Sequence, residues 1–211
     1  MAQHLPTIMR LLNKSPVVTF ASIAKITGST AYAKQLINKL RQRGTIHRLA
    51  KGHYTIHDDL NLAVFAYQPG YLGLQSALSM HGLWEQETIP IILTATKART
   101  NIRRVDGANI LIRRLDKHHV FGYQLYQEGE WHVPYSDIEK TLIDMITFKE
   151  RLTPETLHAL TRRIDEHKLR DYLQRYEPRT RKQILKTLSR AAKKTPQHLP
   201  RSSSRTRLEH A

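Results

Sequence analysis

Apolar positions along the first sixty residues recur with a helical period and then switch to a period of two. Leu5, Ile8, Met9 and Leu12 fall at i, i+3, i+4 and i+7, one face of a helix, with Pro6 in its first turn and Ser15-Pro16 as its end. A second short helix is predicted from Thr19 as N-cap, turning Phe20, Ile23 and Ile26 inward, and it breaks at Thr27-Gly28-Ser29. A third is predicted over residues 30–43, with the stripe Ala33, Leu36, Ile37 and Leu40 and with Gly44 as its C′ residue. Beyond it, Ile46 and His47-Arg48-Leu49 lead into Ala50-Lys51-Gly52, and Tyr54 and Ile56 alternate on the return, as in a β-hairpin. Helix, helix–turn–helix and hairpin are the plan of a winged helix-turn-helix, here expected over residues 1–58.

The pattern over residues 59–148 predicts an α+β domain with a small mixed or antiparallel sheet. Residues 60–68 read as a short helix ended by Pro69-Gly70, and Tyr71-Leu72-Gly73 leads into a helix over 74–81 stopped by Gly82. The run 89–96 (IPIILTAT) is β-prone and long enough for a central strand. Further strands are expected at 109–115 and 123–127, the last turned back by Glu128-Gly129-Glu130 through 131–133. Ser136-Asp137-Ile138-Glu139 has the spacing of a capping box, opening a helix with Ile138, Leu142, Ile143 and Ile146 inward.

Residues 149–194 read as a helical region. Thr153 caps with Pro154 at N1, then come stripes Leu157, Leu160, Ile164 and Leu169, Tyr172, Leu173, Tyr176. Pro178 opens a last helix carrying Ile184, Leu185 and Leu188. Residues 195–211, with two prolines, a Ser triplet and scattered arginines, are expected to be a basic disordered tail.

Charge changes what this pattern means. The formal net charge is +16, and it is not spread evenly. Residues 1–57 carry nine Lys/Arg and no acid; residues 58–148 carry eight against eleven; residues 149–211 carry seventeen against seven. Two basic ends around a near-neutral middle point to a polyanion, most often nucleic acid. Within the middle, Lys97, Arg99, Arg103, Arg104, Arg113, Arg114 and Lys117 form a local basic stretch on predicted strands. There is no cysteine, hence no disulfide or thiolate site. The start lacks a secretory apolar region and no apolar run approaches a membrane span, so a cytoplasmic protein without membrane partners is expected.

The candidate chemistry lies on the third helix. Opposite its apolar stripe, at about 100° per residue, point Ala31, Gln35, Asn38 and Gln42, flanked by Tyr32, Lys34, Lys39 and Arg41, with Ser29 and Thr30 at the start. Gln and Asn can each bond an adenine edge in the major groove, and Ala31 permits close approach. Lys34, Lys39 and Arg41 suit phosphates, which position without reading sequence. Arg48, Lys51 and His53 sit on the hairpin, where a wing meets backbone or minor groove. Double-stranded DNA is the expected partner.

Catalytic constellations are lacking. None of the twelve histidines forms H-E-x-x-H, and His118-His119 would point to opposite faces of a strand. No phosphate loop and no G-x-S-x-G elbow occurs. Ser76 and His81 lie five apart on one predicted helix without the third member of a triad. Asp137-Ile138-Glu139-Lys140 looks superficially like the acidic-plus-lysine pattern of metal-dependent nucleases, the least favoured alternative, but a capping role accounts for Ser136 and Glu139. No enzyme, metal or cofactor is expected.

Taken together, the winged helix, YLGLQSALSMHGLWEQ at 71–86, IPIILTATK and SDIEKTLIDMI at 136–146 resemble AbiEi-family antitoxins over residues 5–150. The family's Ser-Ala-Leu-x-x-His-Gly-Leu motif matches Ser76, Ala77, Leu78, His81, Gly82 and Leu83, which carry no assigned chemical role. The resemblance implies a type IV antitoxin. Its winged helix would bind inverted repeats upstream of its operon and repress it, and its second domain would counter a nucleotidyltransferase toxin without a stable complex. An inverted-repeat operator leaves room for dimerisation on DNA. The alternative in the same class is a stand-alone winged-helix regulator without a toxin partner.

Overall fold

Local signals near the N-terminus translate directly into structure. The computed structural model describes residues 4–193, an α+β architecture. Helix α1 (Leu5–Asn13) buries Ile8 and Leu12. Helix α2 (Phe20–Thr27) starts at Thr19, whose hydroxyl accepts from the Ser22 N–H. Helix α3 (Thr30–Gln42) is capped by Ser29 and buries Ala33, Leu36, Ile37 and Leu40. Gly44 follows at φ +68°, a conformation that costs a residue without Cβ nothing. Two strands were expected next, and three form a sheet. Val18–Thr19 (β1) pairs antiparallel with His53–Thr55 (β3), which also pairs with His47–Ala50 (β2). Two residues are too short for β1 to show a sequence period; the tertiary pairing creates it.

A six-stranded mixed sheet follows, in the order β6-β7-β5-β4-β9-β8. Its strands are β4 (Gly70–Leu72), β5 (Ile91–Thr94), β6 (Asn101–Val105), β7 (Ala108–Arg114), β8 (Tyr123–Glu128) and β9 (Trp131–Ser136). Parallel pairs β5–β7 and β4–β9 alternate with antiparallel ones. Strand β5 lies inside the sheet, as its sequence predicts. Ile91 and Leu93 face one apolar cluster and Ile92 the other, which explains a run without polar alternation.

The first cluster lies under α4 (Gln75–Met80), α5 (Ile138–Thr147), α6 (Pro154–Thr161), α7 (Glu166–Leu173) and α8 (Pro178–Lys193), and takes in Leu74, Leu78, Leu142, Leu160, Leu169 and Ile184. The second joins the opposite sheet face to the segment Leu60–Tyr67 and to Leu49 of β2. Apolar packing therefore runs continuously across residues 58 and 148.

The short helix expected over 60–68 forms as the 3₁₀ helix Leu60–Tyr67, held by packing between hairpin and sheet. Three expectations are corrected. Tyr71-Leu72, expected as a lead-in, belongs to strand β4. His118 and His119 lie in the 3₁₀ turn Lys117–His119, capped by Asp116, and not on a strand. The capping box is displaced by one residue. Ser136 still pairs with Tyr123 in the sheet and its hydroxyl bonds that of Thr141 (2.7 Å), so Asp137 takes the cap and accepts from the Lys140 N–H. In the last helix Ile184 is buried as expected, but Leu185 is half exposed. The tail expected over 195–211 lies outside the described residues.

Candidate nucleic-acid interface

The buried stripe of α3 leaves its other face to solvent. Thr30, Ala31, Lys34, Gln35, Asn38, Lys39, Arg41 and Gln42 are all exposed, while Tyr32 is half buried, its ring in a T-shaped contact with that of His4. Ser29 is exposed and spends its hydroxyl on the Tyr32 N–H (3.3 Å). Polar side chains thus stand along one helix face, with the cations at its margins. Among the described residues, neither the Gln35 nor the Asn38 side chain has a hydrogen-bond partner, so their amides are available to an external edge.

On the hairpin, Arg48 and Lys51 are exposed and His53 half buried. The Arg48 Nε donates to the Ala50 carbonyl (3.2 Å) and the His53 ring to the Lys51 carbonyl (3.1 Å), so both side chains are drawn back along the turn. The pairing slips between Arg48 and Ala50, a bulge that re-aims Arg48. The hairpin is anchored from below. Leu49 is buried against the sheet side, and His47 lies between Asp58 (3.3 Å) and Asp106 of the β6–β7 turn.

Helix α3 and hairpin come together at one end. Arg41, Arg48 and Lys51 line one cleft together with Arg103 and Arg104 of β6. The candidate residues read from the sequence did not include those two arginines. The signal was there: residues 88–105 carry four Lys/Arg and no acid. The sequence could not show that β6 would lie beside the hairpin. Of the other cations in the stretch, Arg113 is committed to Glu150 (3.0 Å) and lies over Phe148.

The motif residues occupy a different place, at the joint of α4 with the sheet. The Ser76 hydroxyl accepts from the Ile91 N–H (2.8 Å) and donates to the Ile89 carbonyl, doing for the start of β5 what a neighbouring strand would. Ala77 and Leu78 are fully buried on opposite sides, one in each cluster. His81 Nε2 donates to the Ser136 carbonyl (2.8 Å), and burial pushes its pKa below the ordinary histidine value. Gly82 ends the helix at φ +67°, and Leu83 packs on the first cluster. These contacts pin α4 between β5 and the β9–α5 junction. They bring Ser76 and His81 to separate partners and do not bring them together.

The Asp137/Glu139 pair is fully engaged. Asp137 accepts from the Lys140 N–H, from Tyr172 Oη (2.8 Å) and from Lys168 Nζ (3.1 Å). Glu139 accepts from the Asp165 N–H (2.8 Å) and from Lys168 Nζ (3.0 Å) rather than closing a capping box. Lys140 turns into the interior, toward Asp144. Among the described residues, no group of three His, Asp or Glu side chains could hold a metal ion.

No protein-family model and no curated protein matches the chain. Among solved structures, the fold is similar to the crystal structure of the RV2827C protein from Mycobacterium tuberculosis. The TM-score is 0.57 at 15% identity, over 88% of this chain and 75% of that one. Such identity speaks to fold alone. No helix among the described residues is long and apolar enough to cross a membrane.

Proposed function

We propose that this protein is a cytoplasmic, sequence-specific DNA-binding repressor of the AbiEi antitoxin type. It autoregulates its own operon and counters a nucleotidyltransferase toxin. The observation that carries the reading is the solvent face of α3: Ala31, Gln35, Asn38 and Gln42 in a row, flanked by cations, in a segment of 57 residues without an acid. On this reading the first three helices and the β1-β3-β2 sheet are a winged helix. Helix α3 enters the major groove, its amides reading base edges and Lys34, Lys39 and Arg41 meeting phosphates. The hairpin meets the flanking backbone through Arg48 and Lys51, with His53 beside them.

A shift assay on a duplex from the protein's own upstream region, at physiological salt, tests the DNA-binding half. A specific complex is expected, weakened by about 1–3 kcal/mol in Gln35→Ala or Asn38→Ala with relaxed base preference. The absence of any specific shift overturns it. Co-expression tests the antitoxin half: growth arrested by the neighbouring nucleotidyltransferase is restored by an antitoxin and not by a stand-alone regulator.

A further inference from the structure

Five cations converge where the hairpin meets the edge of the six-stranded sheet. Arg41, at the end of α3, and Arg48 and Lys51 on the hairpin face Arg103 and Arg104 of β6 across a cleft of about 410 Å³. One acid, Asp106, also lines it, and that carboxylate is taken by His47. Among the described residues, none of the five cations pairs with a carboxylate, whereas Arg113, Lys140, Lys168 and Arg170 all do. Five cations gathered around a single carboxylate leave an excess of positive charge, and an anionic ligand relieves their repulsion.

Two of the guanidinium groups are held in place by neutral acceptors. Arg103 donates from Nε and Nη2 to the Arg99 carbonyl (3.2 and 2.9 Å) and lies over the Tyr67 ring at 6.0 Å. Arg48 is drawn back to the Ala50 carbonyl. Holding them this way lowers the ordering cost of binding without neutralising their charge. Strand β6 is the last of its sheet, so its outer edge faces away from any ladder partner. The cleft is of ordinary small-ligand size, suited to a sugar-phosphate segment and far too small for a duplex.

We propose that this cleft is a second backbone site for the same DNA: the duplex read by α3 passes the hairpin and seats one phosphodiester strand against Arg103 and Arg104 of the sheet. The inference rests on the DNA-binding reading above and adds to it a partner surface outside the first 58 residues. Contacts of this kind position the duplex and carry no base preference. The buried anchor of Leu49 and the His47 bridge keep the two walls in register, so the site needs no ordering of one part against another.

The test is fluorescence anisotropy of full-length protein on its upstream duplex and on a random duplex, across a salt series, for wild type, Arg104→Ala and Arg103→Ala/Arg104→Ala. Arg104 is exposed and its loss leaves the fold alone; thermal unfolding checks the double variant. Both variants are expected to weaken both duplexes about equally. The log–log salt slope should fall by about one unit in the single variant and about two in the double. A hydroxyl-radical footprint should shorten at the hairpin side only. A slope and footprint identical to wild type overturn the proposal. So does a loss that appears only when the same series is run on single-stranded RNA, which would assign the cleft to another nucleic acid. If wild type binds random and upstream DNA alike, the repressor reading fails, while the slope change on random duplex still decides the cleft.

Discussion

Lys140 is the most constrained charge among the described residues. It is fully buried, ion-paired with Asp144, hydrogen-bonded to Tyr176 Oη (2.9 Å) and flanked by the rings of Tyr71, Phe121 and Tyr176. Tyr71 Oη donates to the second oxygen of Asp144 (2.7 Å). Burial lowers the lysine pKa and raises that of the aspartate, and their mutual attraction resists both shifts. Removing one partner strands the other. Lys140→Met is therefore expected to cost about 3–5 kcal/mol in urea unfolding, and Lys140→Met/Asp144→Leu to recover most of it. A double variant as unstable as the single would mean that the ring cage, not the charge pair, carries the stability. His81 makes a pH prediction. Its folded pKa is depressed by burial, so the unfolded chain binds the extra proton first, and stability falls as pH drops below about 6.5. His81→Gln should remove that part of the acid slope, measured as the unfolding midpoint between pH 7.5 and 5.5.

At the scale of elements, what a helix presents and what holds it are separable. Helix α3 is secured by its buried stripe and by Ser29, so Gln35 and Asn38 are free of structural duty. Their alanine variants should change stability by less than about 0.5 kcal/mol, and, on the proposed DNA-binding reading, alter base preference. Helix α4 is the opposite case, because it is short and depends on side chains of its own for its place on the sheet. Ser76→Ala leaves the Ile91 N–H unpaired at the start of a central strand, a loss of about 1–3 kcal/mol by chemical denaturation. An unchanged midpoint would reopen a chemical role for this serine. The expectation that Glu139 closes a capping box failed for a reason at this scale: strand β9 runs on to Ser136, so the helix begins one residue later, and Glu139 is released to hold the start of α7.

The whole molecule shows how two faces of one sheet unite the chain. Tyr71, Tyr135 and Tyr176 are buried, with hydroxyl pKa values pushed up first by desolvation; Tyr172, bonded to Asp137, is raised to about 12. Above about pH 10 the unfolded chain ionises these phenols and the folded chain does not, so stability must fall with rising pH. A titration at 295 nm should show the buried tyrosines ionising only together with loss of structure. A smooth ionisation of all nine at ordinary pKa would contradict their burial. Much of the architecture was legible beforehand. Helix periods, the Thr19 and Thr153 caps, the glycine stops and the β-prone 89–96 run depend on neighbours within a turn or two, and local chemistry decides them. The polar face of α3 was legible for the same reason, since a buried stripe defines its opposite. Strand β1, the 3₁₀ form of Leu60–Tyr67, the mixed strand order and the seating of Arg103 and Arg104 beside the hairpin were not. Each depends on which distant segment supplies hydrogen bonds or covers an apolar face. By itself the sequence determined which polar and basic residues stand exposed on α3 and the hairpin; only the tertiary structure decided which of them share a surface, because packing of Leu49 and the His47 bridge set the hairpin against β6.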